Sequence, residues 1–428
     1  MSDSLEIKPV QAPIRACIRP PGSKSITNRA LVCAALADGK STLSGALDSE
    51  DTQVMIDALR GLGIEVESSD NGRTLTVRGG GGRIPVADAG VYCANSGTTV
   101  RFLTALTTLG HGTYGLDGIE RMRERPIADL IDALNQLGAK VMSVAGNGCP
   151  PVVVKANGLP GGIANVRGNI SSQFLSGLLM AAPYARSAVE LRIDDPLVSQ
   201  PYVLMTLAVM RAFGVEVIVN TARARYTIAS PTKYQACSYT IEPDASAASY
   251  FWAAAAITGG EVTVEGLSRE SLQGDVAFVD CLEQMGCEVG WTADSITVVG
   301  RPLSGIDVDM SAISDTVQTL SVVALFAAGS TTVRNVGHIR HKETDRIAAL
   351  AAELRKLGAE VAEHADGLTI TPKKPQPATI ETYNDHRMAM SFALAGLRIS
   401  GVRINHPQCV SKTYPGFFDD LARVTGMR

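Results

Sequence analysis

The sequence lacks the marks of several large protein classes. No apolar run approaches the ~20 residues that a membrane-spanning helix needs; stretches such as Phe251–Ile257 are far too short. There is no excess of positive charge. Lys and Arg number 39 against 43 Asp and Glu, a formal net charge of −4, so nothing general favours a nucleic acid or an anionic membrane as partner. The eight cysteines form no CxxC pair and no Cys/His cluster, which gives no zinc spacing, and neither a P-loop nor a GxGxxG pattern occurs. The opening MSDSLEIKPV has no basic start and no apolar core, so no secretion signal is expected. Cys17, Cys33, Cys93 and Cys237 sit in apolar stretches and are expected to be buried, reduced thiols of a cytoplasmic protein. What remains is an ordinary globular mix, 45% hydrophobic and 19% charged, long enough at 428 residues for more than one domain.

A short pattern recurs along the whole chain. LRGLGIEV, LNQLGAKV, VMRAFGVEV, LEQMGCEV and LRKLGAEV place glycines at Gly63, Gly138, Gly214, Gly286 and Gly358, and a weaker LARVTGM ends at Gly426. The spacings are 75, 76, 72, 72 and 68 residues, so six copies account for the chain. Each pattern follows a strand-like stretch, such as GEVTVEG from 260, and precedes another, such as SITVVG from 295. Upstream of each lies a run of small and apolar residues, for example ASYFWAAAAI. The unit therefore reads strand–helix–strand–helix–strand–strand.

The first helix of each copy is apolar nearly all round and should be buried on every side. The second is amphipathic: Ile127, Leu130, Ile131, Leu134 and Leu137 follow helical spacing. The glycine after its last turn fits a left-handed C-cap. The sixth copy lacks its last strand, and Leu5–Val10 (LEIKPV) resembles it, so the N-terminus should fold back to complete that copy. Three copies per globule is the simplest arrangement, with the chain crossing at Pro20–Pro21 and at Pro243. That gives one domain of about 21–240 and a second of about 1–20 plus 241–428. An open solenoid would need polar capping repeats, which the apolar end copies do not supply.

Residues that differ between copies carry the chemistry. The loops before the first helices hold Lys24, Ser25 and Arg29 in copy one, Asn95, Gly97 and Arg101 in copy two, and Ser171, Ser172 and Gln173 in copy three. Copies four to six offer Asp244, Asp315 and Asn384–Arg387. The loops before the second helices add Arg121, Arg123 and Arg125, then Ser199 and Tyr202, then Lys342, Glu343 and Arg346, and finally Lys412. Helix N-termini favour anions, so clustered Lys and Arg there would be misplaced as helix stabilisers and are explained by bound polyanions. Plainer readings exist for single residues. Ser171, Asp244 and Asn384, each taken alone, read as N-caps. SQPY reads as a proline-started helix, and HKETDR as exposed ion pairs.

Taken together, PGSKSITNRALVCAALADG, NSGTT, RMRERP, SSQFLSGLLMAAP, VSQPY, KETDRI, YNDHRMAM and SKTYPGFF resemble, in order and over nearly the whole chain, the 5-enolpyruvylshikimate-3-phosphate synthase family. The resemblance implies an α/β fold of six such units in two similar globular domains, an inside-out α/β barrel of the enolpyruvyl transferase type, with domain closure on the substrates. It implies transfer of the enolpyruvyl group of phosphoenolpyruvate to the 5-hydroxyl of shikimate 3-phosphate, with no metal and no organic cofactor. Lys24, Ser25, Arg29, Ser171, Ser172, Gln173, Ser199, Tyr202, Asp315, His338 and Lys342 would bind shikimate 3-phosphate. Lys24, Gly97, Arg125, Gln173, Arg346, Arg387 and Lys412 would bind phosphoenolpyruvate. Asp315, Glu343 and Lys24 would be catalytic, with Asp315 the base. His338 departs from the Asn that many members carry at that place.

Three rivals are weighed. The UDP-N-acetylglucosamine enolpyruvyl transferases carry a reactive Cys in the copy-two loop, and Gly115–Pro126 has none. The RNA 3′-phosphate cyclase type fits poorly with the acidic balance. A non-enzymatic repeat scaffold would have no use for Lys24, Asp315 and Glu343 in apolar surroundings. The partners expected are small molecules, with no nucleic acid and no membrane, for a monomeric protein.

Overall fold

The computed structural model describes residues 4–426. Among these, twelve α-helices alternate in role along the chain: α1 (Lys24–Leu36), α2 (Glu50–Gly61), α3 (Gly97–Thr107), α4 (Ala128–Gln136), α5 (Ser172–Ala181), α6 (Gln200–Ala212), α7 (Ala245–Thr258), α8 (Phe278–Gln284), α9 (Val317–Val323), α10 (Arg346–Lys356), α11 (His386–Gly396) and α12 (Phe417–Thr425). The odd-numbered helices are the inner ones. All fourteen residues of α7 are buried, as is every residue of α3, α9 and α11. Small side chains make this possible: Ala253, Ala254 and Ala255 let neighbours approach while Phe251 and Trp252 fill the gaps. The even-numbered helices cover them with one apolar stripe. In α4 that stripe is Leu130, Ile131 and Leu134, extended by Ile127 and Leu137 just beyond the helix. The six repeat glycines all have positive φ, from 69° at Gly426 to 114° at Gly286, and so end the outer helices in the left-handed conformation.

Each copy contributes one sheet. Copy two shows the pattern: Asp88–Tyr92 and His111–Asp117 are parallel around α3, and Val152–Asn157 and Val141–Ser143 follow antiparallel. The spatial order is thus first, second, fourth, third, and five of the six sheets have four strands in this order. The sixth has three, and its last place is taken by the N-terminal strand Ser4–Glu6, antiparallel to Arg403–Asn405 with Leu5 opposite Ile404. The strand is shorter than the Leu5–Val10 expected, because Pro9 has no N–H for the ladder. Ile7 and Val10 still donate to the carbonyls of Val402 and Leu397, at 3.0 Å each.

The strands leading into copies one and four are exchanged. Arg15–Ile18 precedes α1 but pairs with Glu261–Glu265, and Ser238–Thr240 precedes α7 but pairs with Asp38–Ser44. The chain divides into two compact units: Gly22–Ile241, and the segment up to Pro21 together with the chain from Glu242 onward.

In each unit the inner helices pack with equivalent turns level. In the second unit Ser249 Oγ lies 3.1 Å from Thr319 Oγ1, which lies 3.4 Å from Ser391 Oγ, one hydroxyl from each inner helix. In Gly22–Ile241, Arg29 of α1 donates to Ser176 of α5 at 3.3 Å. Their N-termini therefore gather at one end of each unit. The cysteine expectation holds only in part. Cys33 and Cys93 are buried, Cys237 is half-buried and Cys17 is exposed. Cys17 sits on an edge strand where alternation turns Ala16 and Ile18 inward. Among the described residues, no helix is long and apolar enough to cross a membrane.

Candidate active site

In the unit Gly22–Ile241, Ser23 caps α1, its Oγ accepting from Ile26 N–H at 3.4 Å. Lys24 is then the first helical residue and half-buried rather than enclosed in a loop. Arg29, one turn on, is 1% exposed and closely held: Nε donates to Thr206 Oγ1 at 2.7 Å, Nη1 to Ser25 O at 3.0 Å, and Nη2 to Ser176 Oγ and to Tyr202 O at 3.1 Å. Burial lowers its pKa to about 10, which leaves it charged at neutral pH. It thereby ties α1 to the first turn of α6. There Ser199, at φ 53°, is the left-handed residue before Gln200–Pro201, and its hydroxyl makes no cap bond.

At α3, a Cβ on Gly97 would stand 2.5 Å from Arg125 Nη2 and 2.7 Å from Arg101 Nη1, so two guanidinium groups lie over a position that only glycine leaves open. Arg125, 2% exposed, donates to Asn95 O at 2.8 Å and to Asn95 Oδ1 at 3.1 Å. Arg101 donates to Gln173 Oε1 at 2.7 Å and to Pro126 O at 2.8 Å, which joins α3 to the start of α5. Ser171 is the N-cap of α5, accepting from Gln173 N–H at 3.3 Å, and Ser172 behind it is buried. Lys24, Gly97, Ser171 and Ser172 thus all sit in the N-terminal turns of inner helices.

In the other unit the charges condense into one network. Asp315 falls in a single 3-10 turn, Ser314–Thr316, and caps no helix. Its Oδ2 accepts from Arg387 Nη2 at 2.8 Å and its Oδ1 from Arg346 Nη1 at 3.3 Å, with Lys342 Nζ at 3.7 Å. Glu343 accepts from Arg346 Nη2 at 2.8 Å and pairs with Lys412 Nζ at 3.1 Å. Asp385 accepts from Arg346 Nε at 2.8 Å and Nη2 at 3.3 Å. Arg346, 1% exposed, is the hub. Burial works against its charge, and Asp385, Glu343 and Asp315 more than offset this, so its pKa is raised. The charges of HKETDR are therefore not exposed pairs: Glu343 and Arg346 are buried, and the outer pair is Arg340 with Asp345 at 2.8 Å.

Three carboxylates face four cations in this network, a surplus of positive charge suited to an anionic ligand. His338, 8% exposed, is pushed down to about 4 by burial and then by Lys342, so it is a neutral imidazole at physiological pH. Among the described residues, no group of three or more His, Cys, Asp or Glu side chains is arranged to hold a metal ion.

Two capping expectations hold. Ser171 caps α5, and Asp244 caps α7 by accepting from Ala247 N–H at 2.8 Å. The third is corrected: Asn384 takes φ 53°, and the cap of α11 is Asp385, which accepts from Arg387 N–H at 2.9 Å. Asp385 is also the main residue that sequence reasoning missed, although it lies inside the YNDHR motif. So is Asp51, 2% exposed at the start of α2, which accepts from Asn28 Nδ2 and Thr98 Oγ1 at 3.3 Å each and so holds α1 against α3. A carboxylate in the first turn of a helix looks in sequence like an ordinary dipole partner.

Two compact units, each of three repeats with buried inner helices ringed by sheets and outer helices, define the enolpyruvyl transferase class of α/β protein. Comparison with known proteins agrees. A model of the EPSP synthase (3-phosphoshikimate 1-carboxyvinyltransferase) family matches residues 9–421. The chain is 47% identical to the 3-phosphoshikimate 1-carboxyvinyltransferase of Nostoc punctiforme, covering 97% of this chain and 98% of that one. It is 47% identical to the chloroplastic 3-phosphoshikimate 1-carboxyvinyltransferase of Arabidopsis thaliana, over 99% of this chain and 85% of that one. Among solved structures it is similar to the EPSP synthase of Acinetobacter baumannii, with TM-score 0.82, 26% identity and 98% of both chains covered. The chain belongs to the EPSP synthase family and is a transferase.

Proposed function

We propose that this protein transfers the enolpyruvyl group of phosphoenolpyruvate to the 5-hydroxyl of shikimate 3-phosphate, in the biosynthesis of chorismate and the aromatic amino acids. The 5-hydroxyl oxygen bonds to C2 of phosphoenolpyruvate while C3 gains a proton. The tetrahedral intermediate then breaks its C2–O bond to phosphate, and C3 gives up a proton to form the enol ether. These steps need charge neutralisation and proton transfer, which side chains supply without metal or organic cofactor.

The observation that carries this reading is Asp315, a carboxylate that caps nothing and is ringed by Arg387, Arg346 and Lys342. So many cations favour its ionised form, which is the form able to accept the hydroxyl proton. Glu343 and Lys24 are the proton donors and acceptors for C3. From the unit Gly22–Ile241, Lys24, Ser25, Ser171, Ser172, Gln173, Ser199 and Tyr202 serve shikimate 3-phosphate. Arg29 helps chiefly by its charge, four of its donor contacts being made to protein atoms. Lys24, Gly97, Arg125 and Gln173 serve phosphoenolpyruvate. From the other unit, Arg346, Arg387 and Lys412 take phosphoenolpyruvate, and Asp315, His338 and Lys342 take shikimate 3-phosphate. The protein acts as a cytoplasmic monomer on these small molecules.

The test is phosphate release from phosphoenolpyruvate by the purified protein. Release that requires shikimate 3-phosphate is expected. Release with UDP-N-acetylglucosamine in its place, or with neither acceptor, would overturn the reading.

A further inference from the structure

α10 carries another buried carboxylate, about two turns after Arg346, that belongs to none of the roles above. Glu353 is 0% exposed. Both its oxygens accept from Lys356 Nζ at 2.8 Å, Oε2 accepts from the backbone N–H of Glu381 at 3.1 Å, and Oε1 accepts from the Tyr383 hydroxyl at 2.7 Å. Taking a carboxylate fully out of water is costly unless its lone pairs are filled. Lys356 alone could neutralise it at the helix surface. What burial adds is a grip on the segment 381–383.

That segment leads straight into the charge network. Tyr383 and Asn384 have φ values of 54° and 53°, a conformation that bulky side chains avoid and that persists only when the surroundings impose it. Tyr383 is 42% exposed as a residue, so burial is a weak restraint on it, and its hydroxyl bond to Glu353 ties it to α10. The two left-handed residues turn the chain so that Asp385 N–H meets Thr382 O at 2.8 Å and Asp385 Oδ1 meets Arg387 N–H at 2.9 Å. α10 therefore holds this loop at two points, at Arg346 through Asp385 and at Glu353 through Glu381 and Tyr383. Arg387 is the next residue but one after the clamped stretch, and its guanidinium reaches Asp315 at 2.8 Å.

We infer that Glu353 and Tyr383 are positioning residues that set the Arg387 guanidinium for phosphoenolpyruvate. The inference rests on the reading of Arg387 given above. It is tested with Tyr383→Phe, which removes one hydroxyl and leaves the ring in place. The KM for phosphoenolpyruvate should rise about tenfold, the worth of one hydrogen bond to a charged group. The KM for shikimate 3-phosphate should stay near the parent's, and the melting temperature should fall by no more than a few degrees. Glu353→Gln, which keeps an acceptor oxygen of the same shape, should lose less than Glu353→Ala. Arg387→Lys should itself raise the KM for phosphoenolpyruvate, and adding Tyr383→Phe to it should change nothing more. A Tyr383→Phe enzyme with the parent's KM for phosphoenolpyruvate overturns the inference. So does one in which both KM values rise alike, and so does additivity in the double variant. If Arg387→Lys leaves that KM unchanged, the assignment of Arg387 falls and the positioning role falls with it.

Discussion

Asp315 and Arg387 stand 72 residues apart in the chain, one repeat, and 2.8 Å apart in space. Each lies at the lead-in of an inner helix, so equivalent places in successive copies have been given opposite charges and brought into contact. A scaffold would need neither. Asp315 is also set apart from Asp385: both accept from Arg346, but Asp385 caps α11, whereas the residue at the cap position of α9 is Thr316.

Asp315→Asn keeps the size and one acceptor oxygen but cannot take up the hydroxyl proton. The variant should fold and bind shikimate 3-phosphate, yet lose roughly 10²–10⁴ in kcat, the usual range for general base catalysis. Steady-state kinetics beside a ligand titration decides this. A kcat close to the parent's would move the base role to Lys24 or Glu343.

Gly97→Ala puts a methyl group where Arg125 Nη2 and Arg101 Nη1 already stand, 2.5 and 2.7 Å away. Guanidinium groups can swing aside, so the chain should fold normally. The KM for phosphoenolpyruvate should rise by about tenfold, or about 1.4 kcal/mol, and that for shikimate 3-phosphate much less. Equal rises in both would show that Arg125 is not specific to phosphoenolpyruvate.

Asp275 is 3% exposed, with Ser246 Oγ bonded to its Oδ2, and Asp244, Asp315 and Arg387 act on its charge. Burial, and next the charge of Asp315, push its pKa from an ordinary 3.8 up to about 6. A carboxyl whose folded value lies above its unfolded one binds its proton more tightly when folded. Its stabilising effect is complete below the unfolded value and is lost as pH rises through about 6. The parent should therefore lose stability relative to Asp275→Asn between about pH 4 and pH 7, by on the order of 2–3 kcal/mol. Urea denaturation of both proteins across that range is the measurement. Stability curves that run parallel would exclude Asp275 as the source.

A chain beginning at Pro13 loses Ser4–Glu6 and with it one edge of the sixth sheet. It also loses Ile7, which is 6% exposed and packs so closely on α11 that a Cβ at Gly396 would lie 2.4 Å from its own. Burying one such side chain is worth about 1.5–3 kcal/mol, so the melting temperature should drop by several degrees. An unchanged melting temperature would make that strand dispensable.

The repeat was legible because it is written in glycines and apolar spacing, which answer to local backbone geometry. Gly63, Gly138 and Gly214 mark helix ends wherever they occur. The expected crossings at Pro20–Pro21 and Pro243 already set Arg15–Ile18 and Ser238–Thr240 apart from the helices they precede; the strand each one pairs with was not legible, because composition fits several and only tertiary pairing chooses. The cations of the candidate site stood out because Lys and Arg oppose the dipole at helix N-termini. Their carboxylate partners did not. Asp385, Asp51 and Glu353 occupy places where acidic residues are unremarkable, and their importance comes from burial, which no local pattern records.

The pairing of Glu6 with Arg403 joins residues 397 positions apart. During synthesis Ser4–Glu6 must thus wait for 397 further residues before its neighbour begins to be made. At about 5–20 residues per second the wait is roughly 20–80 s. Gly22–Ile241 carries all its own strands, and its longest wait, of Asp38–Ser44 for Ser238–Thr240, is about half as long. Arg15–Ile18 must meanwhile wait for Glu261–Glu265. One unit can finish folding on the nascent chain once Ser238–Thr240 is made, while the other keeps Ser4–Glu6 unpaired until Arg403–Asn405 has followed.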